Sequence, residues 1–315
     1  MKILVMGAGA IGSVFGGFLS NSQDVTLIGR EDHISLIRKK GLRVSGIWGE
    51  HLFKNLKAFT SADECKFYAP YDLVLITTKS YDTEHATMQI LPLIGEDSIV
   101  VSVQNGIGNE GVIAKIVGKE RTMGGMAIFG AMLIEPGHVK VTVYASECLF
   151  GTLSQDTEKS KVIAEMISKA GIPSLPTEDI IREKWMKVFY NIALNPLSAI
   201  LKVRYGALGI YEETRAMIKS MLQEAFQVAK AEGIRLKFTY DEYFDYLMEK
   251  QLPPTSEHIS SMLQDLERRK KTEVDYMNGA IVRLGKAHGI KTPVNETVVN
   301  LIKTLERMYG VPSRR

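Results

Sequence analysis

The sequence predicts an α/β domain over residues 1–174, built on a parallel sheet, followed by an all-α domain over residues 175–315. Three observations carry that prediction. Apolar, strand-like runs alternate with helical ones through the first half of the chain, as in a βαβ-wound sheet. From Pro176 onward the strand patterns vanish and helical periodicity takes over. And the chain opens on Lys2-Ile-Leu-Val-Met, which runs straight into glycines at 7, 9 and 12 and then into a helical stretch from Ser13 to Leu19. A chain of 315 residues is long enough to give each domain its own core.

The glycine spacing, Gly7-Ala8-Gly9-Ala10-Ile11-Gly12, is G-x-G-x-x-G placed between a strand and a helix. One glycine serves the tight turn, one lets the backbone approach a pyrophosphate, and one lets helix and strand pack closely. The helix N-terminus offers N–H groups and a positive dipole end to the phosphates. The stretch reads as a Rossmann-type dinucleotide-binding turn; the alternative is a turn that packs a βα unit and holds nothing. The second strand, Val25–Gly29, ends at Arg30, 18 residues after Gly12. A site for the unphosphorylated cofactor usually carries Asp or Glu about 20 residues on, whereas an Arg suits a ribose 2′-phosphate. Arg30 therefore points to the phosphorylated cofactor, unless it only closes a βα unit.

Residues 34–40 read as a helix stopped by Gly41, with strand-like pieces at 42–45 and 55–58 and a hairpin between them. Asp72-Leu-Val-Leu-Ile-Thr-Thr78 is a continuous apolar run of the kind buried in parallel sheets. It delivers Lys79 to its carboxyl end, the edge where doubly wound sheets bind ligands. Residues 98–103 form the next such strand and deliver Gln104-Asn105-Gly106, a sharp turn in which Asn105 can reach a ligand or serve only the turn. Residues 139–144 and 147–151 complete the expected strands, and 159–170 is a helix stopped by Gly171.

In the second half, 212–232 carries an apolar stripe (Ile218, Met221, Leu222, Ala225, Val228, Ala229), and helices are expected at 238–249, 258–263, 272–288 and 296–308. The run Trp185–Asn195 is apolar nearly all round except for Lys187, Asn191 and Asn195. Those three share one side within about 80° of arc. The line faces either a strip of solvent extended by Lys184 and Ser198, or a site. Each asparagine inside a helix costs about half a kcal/mol relative to Ala, so a solvated strip is better served by Glu or Lys. Glu273 falls in register with Met277, Ala280 and Leu284, and a carboxylate on an inward row needs a partner or a task, unless it simply opens the helix with Thr272.

Composition narrows the field. A net charge of +3 is too small to argue for nucleic acid, and no apolar run reaches membrane-spanning length. Two cysteines without a C-x-x-C fit a reducing compartment, most simply cytoplasm. The histidines lack metal-type pairing, so a metal enzyme is not expected.

Taken together, Gly7-x-Gly9-x-x-Gly12, Lys79, Gln104-Asn105-Gly106, Lys187-x-x-x-Asn191-x-x-x-Asn195-Pro196, Ser260-Ser261-Met-Leu-Gln-Asp265 and Thr272-Glu273-Val-Asp-Tyr-Met-Asn278-Gly279 resemble the ketopantoate reductases over nearly the whole chain. The resemblance implies NADPH-dependent reduction of 2-dehydropantoate to pantoate, a step towards pantothenate and coenzyme A. It implies Lys187 as general acid with Glu273 as its catalytic companion and substrate ligand, and Asn191, Asn195 and Ser261 as substrate ligands. It places Lys79, Asn105 and Glu273 where cofactor and substrate meet, and Arg30 on the 2′-phosphate. That set makes chemical sense, because hydride addition to a ketone develops negative charge on oxygen that a lysine both stabilises and protonates. Rival readings are a reductase of another 2-oxo acid or an imine, and a non-catalytic NADPH sensor. An all-helical second domain often supplies a dimer face, which leaves a homodimer open.

Overall fold

The computed structural model describes residues 1–311. The chain divides into two compact units: Met1–Gln104 together with Gly108–Ile180, and Asn105–Ile107 together with the chain from Ile181 onward.

The first unit winds β1 (Lys2–Met6), α1 (Ala10–Leu19), β2 (Asp24–Ile28), α2 (Glu31–Lys40), β3 (Leu42–Gly46), β4 (His51–Phe53), β5 (Leu56–Phe59), β6 (Tyr71–Ile76), α3 (Thr83–Ile90), β7 (Ile94–Ser102), α4 (Asn109–Val117), β8 (Thr122–Met126), β9 (Phe129–Glu135), β10 (His138–Tyr144), β11 (Cys148–Thr152), α5 (Thr157–Lys169) and β12 (Ser174–Pro176). Its main sheet has eight strands in the order β5-β2-β1-β6-β7-β8-β11-β12. All neighbours are parallel except β8 and β11. Numbered within this sheet alone, the first six strands run 3-2-1-4-5-6, with the reversal between β1 and β6. Successive residues of β1 serve opposite faces. Ile3 and Val5 join the core with Phe15 and Phe18 of α1 and Ile167 of α5, whereas Leu4 and Met6 join Ala86 and Ile90 of α3 and Ile113 of α4. Burial on both faces is why β1 and β6 read as unbroken apolar runs.

A second sheet, β4-β3-β10-β9, lies within the same unit. Here the expected hairpin takes a different form. It pairs β3 with β4 antiparallel, and the strand at 56–59 joins the main sheet beside β2 instead. The strands β8, β9 and β12 also stand outside the sequence expectation. Trp48, half-buried in the turn after β3, packs its ring 4.8 Å from that of Phe129.

The second unit holds α6 (Ile180–Leu201) from its second residue on, α7 (Tyr205–Leu208), α8 (Glu212–Ala231), α9 (Tyr240–Tyr246), α10 (Ser261–Glu267), α11 (Asn278–Ala287) and α12 (Pro293–Met308). Among the described residues no strand follows Pro176, and no helix is long and apolar enough to cross a membrane. All six apolar stripe residues of α8 are fully buried. Trp185, Val188, Phe189, Ile192, Ala193 and Leu194 of α6 join them in one core. At about 1.5–3 kcal/mol per large apolar side chain, this burial is the main force shaping the unit.

Two helix expectations need correction. The segment 258–263 becomes helical only at Ser261, where the Ser260 hydroxyl caps α10 by accepting from Leu263 N at 3.0 Å. The expected helix over 272–288 is broken: a 3-10 turn covers Val274–Tyr276, Met277 sits at φ −113°, ψ −104°, and α11 begins at Asn278. Glu273 therefore does not share a helical row with Ala280 and Leu284.

Candidate active site

The three glycines after β1 do three different things. Gly7 has φ +112°, and a Cβ there would lie 2.7 Å from Thr78 N. A Cβ on Gly12 would lie 2.4 Å from both Gly7 O and Thr77 Oγ1. The protein's own packing thus demands these two. A Cβ on Gly9 would meet only Gly7 O, at 3.9 Å. The space beside Gly9 is open, on the backbone stretch that leads into α1. No side chain caps α1 and no acidic residue sits in its first turn. By helix geometry the N–H groups of Ala10, Ile11 and Gly12 lack intrahelical acceptors, so the dipole end is free to meet an anion. An open cradle beside uncommitted N–H groups fits a dinucleotide pyrophosphate.

The cradle is anchored from two sides. Gly7 N and Ala8 N both donate to Ile28 O of β2, at 3.0 and 2.7 Å. Thr77 Oγ1, at the end of β6, donates to Gly7 O at 2.8 Å. Arg30 lies exposed at the N-cap of α2, with Glu31 and Asp32 in the helix's first turn. Behind it His33 is buried. Gly137 N donates to its Nδ1 at 2.8 Å, so the remaining proton is on Nε2, 2.9 Å from Ser13 Oγ in α1. Burial, with the Arg30 charge adding to it, lowers the His33 pKa to about 4 and keeps the ring neutral.

Lys79 is half-buried in the loop after β6. That loop is held by Gln104, whose Nε2 donates to Thr78 O at 3.1 Å and to Thr83 Oγ1 at 2.9 Å. Ser102 Oγ donates to Gln104 Oε1, and Asn109 Nδ2 donates to Ser80 Oγ at 3.3 Å. The loops after β6 and β7 are thereby one hydrogen-bonded piece at the carboxyl end of the sheet.

The second unit gathers three distant stretches of sequence. Asn105-Gly106-Ile107 packs on the segment after Glu273: Ile107 N donates to Tyr276 O at 3.2 Å. Gly106 has φ +82°, and a Cβ there would lie 2.4 Å from the same oxygen. Asn195 Nδ2 approaches Met277 Sδ at 3.6 Å, and Asn195 Oδ1 accepts a hydrogen bond from Tyr205 OH. Asn278 Nδ2 donates to Ile192 O on α6 at 3.3 Å. Asn105, the polar line of α6 and the segment carrying Glu273 are therefore packed into one unit. Lys187 is half-buried, whereas Asn191, Asn195 and Glu273 are buried. Lys184 and Ser198 are buried as well, which removes the solvent-strip reading of α6. Ser261 is exposed on the first turn of α10, and the helix-capping task belongs to Ser260.

Nothing in the sequence marks Tyr205, and no role is assigned there to Gln104 or Asn278, although both stand within its motifs. Tyr205 and Asn278 act across long sequence separations that no local pattern reveals. Gln104 sits beside Asn105 in the same turn, and its position after a buried strand was the available signal. Among the described residues no group of three or more His, Cys, Asp or Glu is placed to hold a metal ion.

A parallel sheet in the 3-2-1-4-5-6 order, with an open glycine cradle at its reversal point, defines an α/β dinucleotide-binding protein. The ketopantoate reductase PanE/ApbA family is matched twice, by its N-terminal model over residues 3–155 and by its C-terminal model over residues 179–306. The 2-dehydropantoate 2-reductase of Aquifex aeolicus is 37% identical over 97% of this chain and 97% of its own. A crystal structure of a PanE/ApbA family ketopantoate reductase from Ralstonia eutropha, 30% identical, superposes with a TM-score of 0.88 over 98% of this chain and all of that one. D-mandelate dehydrogenase in ternary complex with NADH and anilino(oxo)acetate, also 30% identical, superposes with a TM-score of 0.90 over 99% of this chain and all of that one. The chain belongs to the ketopantoate reductase family, and with it to the oxidoreductases.

Proposed function

We propose that the protein reduces 2-dehydropantoate to pantoate with NADPH, in the cytoplasmic route to pantothenate and coenzyme A. The observation that carries this reading is the gathering of Asn105, the Lys187–Asn191–Asn195 line and the Glu273 segment into one unit. Curated relatives bearing that activity at 37–38% identity support the substrate.

The cofactor supplies the hydride, and the glycine cradle with α1 holds its pyrophosphate while Arg30 takes the 2′-phosphate. Lys79 and Asn105 orient the nicotinamide end and the substrate. Lys187 provides a positive charge for the ketone oxygen and passes it a proton as the alcohol forms. Asn191, Asn195 and Ser261 bind the substrate's polar groups, and Glu273 accepts a hydrogen bond from it. Because Tyr205 engages Asn195 Oδ1, that amide presents its NH2 as the donor.

The similarity to D-mandelate dehydrogenase with NADH favours a second reading, reduction of a bulkier 2-oxo acid with the unphosphorylated cofactor. Steady-state NADPH and NADH oxidation with ketopantoate and with an aryl 2-oxo acid separates the two. Higher kcat/KM for ketopantoate with NADPH is expected. Preference for the aryl acid with NADH overturns the first reading, and NADPH binding without oxidation by any 2-oxo acid returns the protein to a sensor.

A further inference from the structure

Pro196 lies inside α6. A proline has no N–H, so the carbonyl four residues earlier, that of Ile192, loses its helical partner. The bond it does receive comes from another part of the unit. Asn278 Nδ2 donates to Ile192 O at 3.3 Å, and the Asn278 side chain is fully buried.

The orientation of this amide is set by a chain of groups. Glu224 of α8 accepts from Val294 N at 2.8 Å, Asn295 N at 3.0 Å and Asn295 Nδ2 at 2.7 Å. It thereby caps α12 and turns the Asn295 amide so that Oδ1 faces Asn278. Asn278 Nδ2 donates to that oxygen at 3.0 Å. The groups around Asn278 Nδ2 (Ile192 O, Asn295 Oδ1 and Met221 Sδ) are all acceptors, which settles which end of the amide points to α6. Asn278 Oδ1 is buried without a hydrogen-bond partner among the described residues. An arrangement that keeps both donors engaged while stranding the acceptor uses this residue for its donors.

The turn so held, residues 192–196, is flanked by Asn191 and contains Asn195. We propose that Asn278 is a positioning residue for the substrate-binding line of α6: it supplies the hydrogen bond that Pro196 cannot make, and so fixes the direction in which Asn191 and Asn195 are presented. The inference rests on the proposed reduction only for its kinetic readout.

The test is a cycle of Asn278→Ala, Pro196→Ala and the double variant in the full-length protein. It uses ketopantoate kinetics, thermal midpoint and hydrogen exchange of the α6 amides. Asn278→Ala is expected to lower ketopantoate kcat/KM by about ten- to a hundred-fold, as a small misplacement of binding groups does, with KM for NADPH unchanged. Adding Pro196→Ala restores an N–H for Ile192 O and is expected to recover most of the loss and the α6 protection. Wild-type kinetics and exchange in Asn278→Ala, or a loss that Pro196→Ala leaves untouched, overturns the proposal. If Asn278→Ala alone does not fold, the double variant is expected to fold, and its failure to do so also overturns it. A wild-type protein inert towards ketopantoate defeats the functional reading, while the exchange and thermal cycle still decides the role of Asn278.

Discussion

His33 Nε2 lies 2.9 Å from Ser13 Oγ, so a neutral imidazole ties α2 to the helix whose N-terminus faces the glycine cradle. In the unfolded chain this histidine titrates near 6.5, and in the folded chain near 4. Between those values the unfolded state binds more protons, so stability rises with pH across the window and is lost as pH falls through it. Stability is expected to drop between about pH 6.5 and pH 4 by an amount on the order of 3 kcal/mol from this group. His33→Gln should flatten that part of the profile, as read from urea midpoints at a series of pH values.

The glycines separate folding from binding. Gly12→Ala should cost about 1–3 kcal/mol, because its Cβ meets backbone and a hydrogen-bonded hydroxyl. Gly9→Ala should leave stability within the small range of neutral substitutions, about ±0.5 kcal/mol. Its effect should appear instead as cofactor affinity lowered by about ten-fold or more, since the methyl fills the side on which a pyrophosphate approaches. Thermal unfolding with and without NADPH measures both; equal behaviour of the two variants would refute the division of labour.

Arg30→Ala should raise KM for NADPH far more than KM for NADH. Losing a charge-assisted, bidentate phosphate contact weakens only the phosphorylated cofactor. Parallel changes for the two cofactors would remove Arg30 from the 2′-phosphate.

Lys187→Ala should lower turnover by about 10²–10⁴-fold, the usual weight of a general acid, with cofactor affinity little changed. Near-normal turnover would assign the proton to another group. Lys187→Arg should recover little, since a guanidinium keeps the charge but does not release its proton.

The parts of this architecture written in short-range pattern were legible in the sequence. The doubly buried strands β1 and β6, the stripe of α8 and the polar line of α6 each declare themselves within a dozen residues. β8, Thr-Met-Gly-Gly-Met, did not, for its composition looks nothing like a strand. The structure shows why: a Cβ on Gly124 or Gly125 would lie 2.7 Å from Ile180 or Phe150, so the strand is selected for thinness rather than β-propensity. The periodicity that joined Glu273 to α11 ran through a real break at Met277, because backbone angles leave no mark on spacing. Lys187, Asn191, Asn195 and Glu273 were singled out by residue type and position, and the structure adds how far each is buried. Their supports, Tyr205 for Asn195 and Asn278 for Ile192, join residues by tertiary contacts that the sequence does not display.

The two tryptophans fall one to each unit: Trp48 beside Phe129 in the first, and Trp185 in the core of the second, 5.9 Å from Phe189. The molecule therefore carries a built-in pair of optical reporters. Replacing either by Phe leaves a single tryptophan, whose selectively excited emission belongs to one unit alone. The melting of the eight-stranded sheet and of the helices packed with α6 can then be followed as two separate curves from one polypeptide.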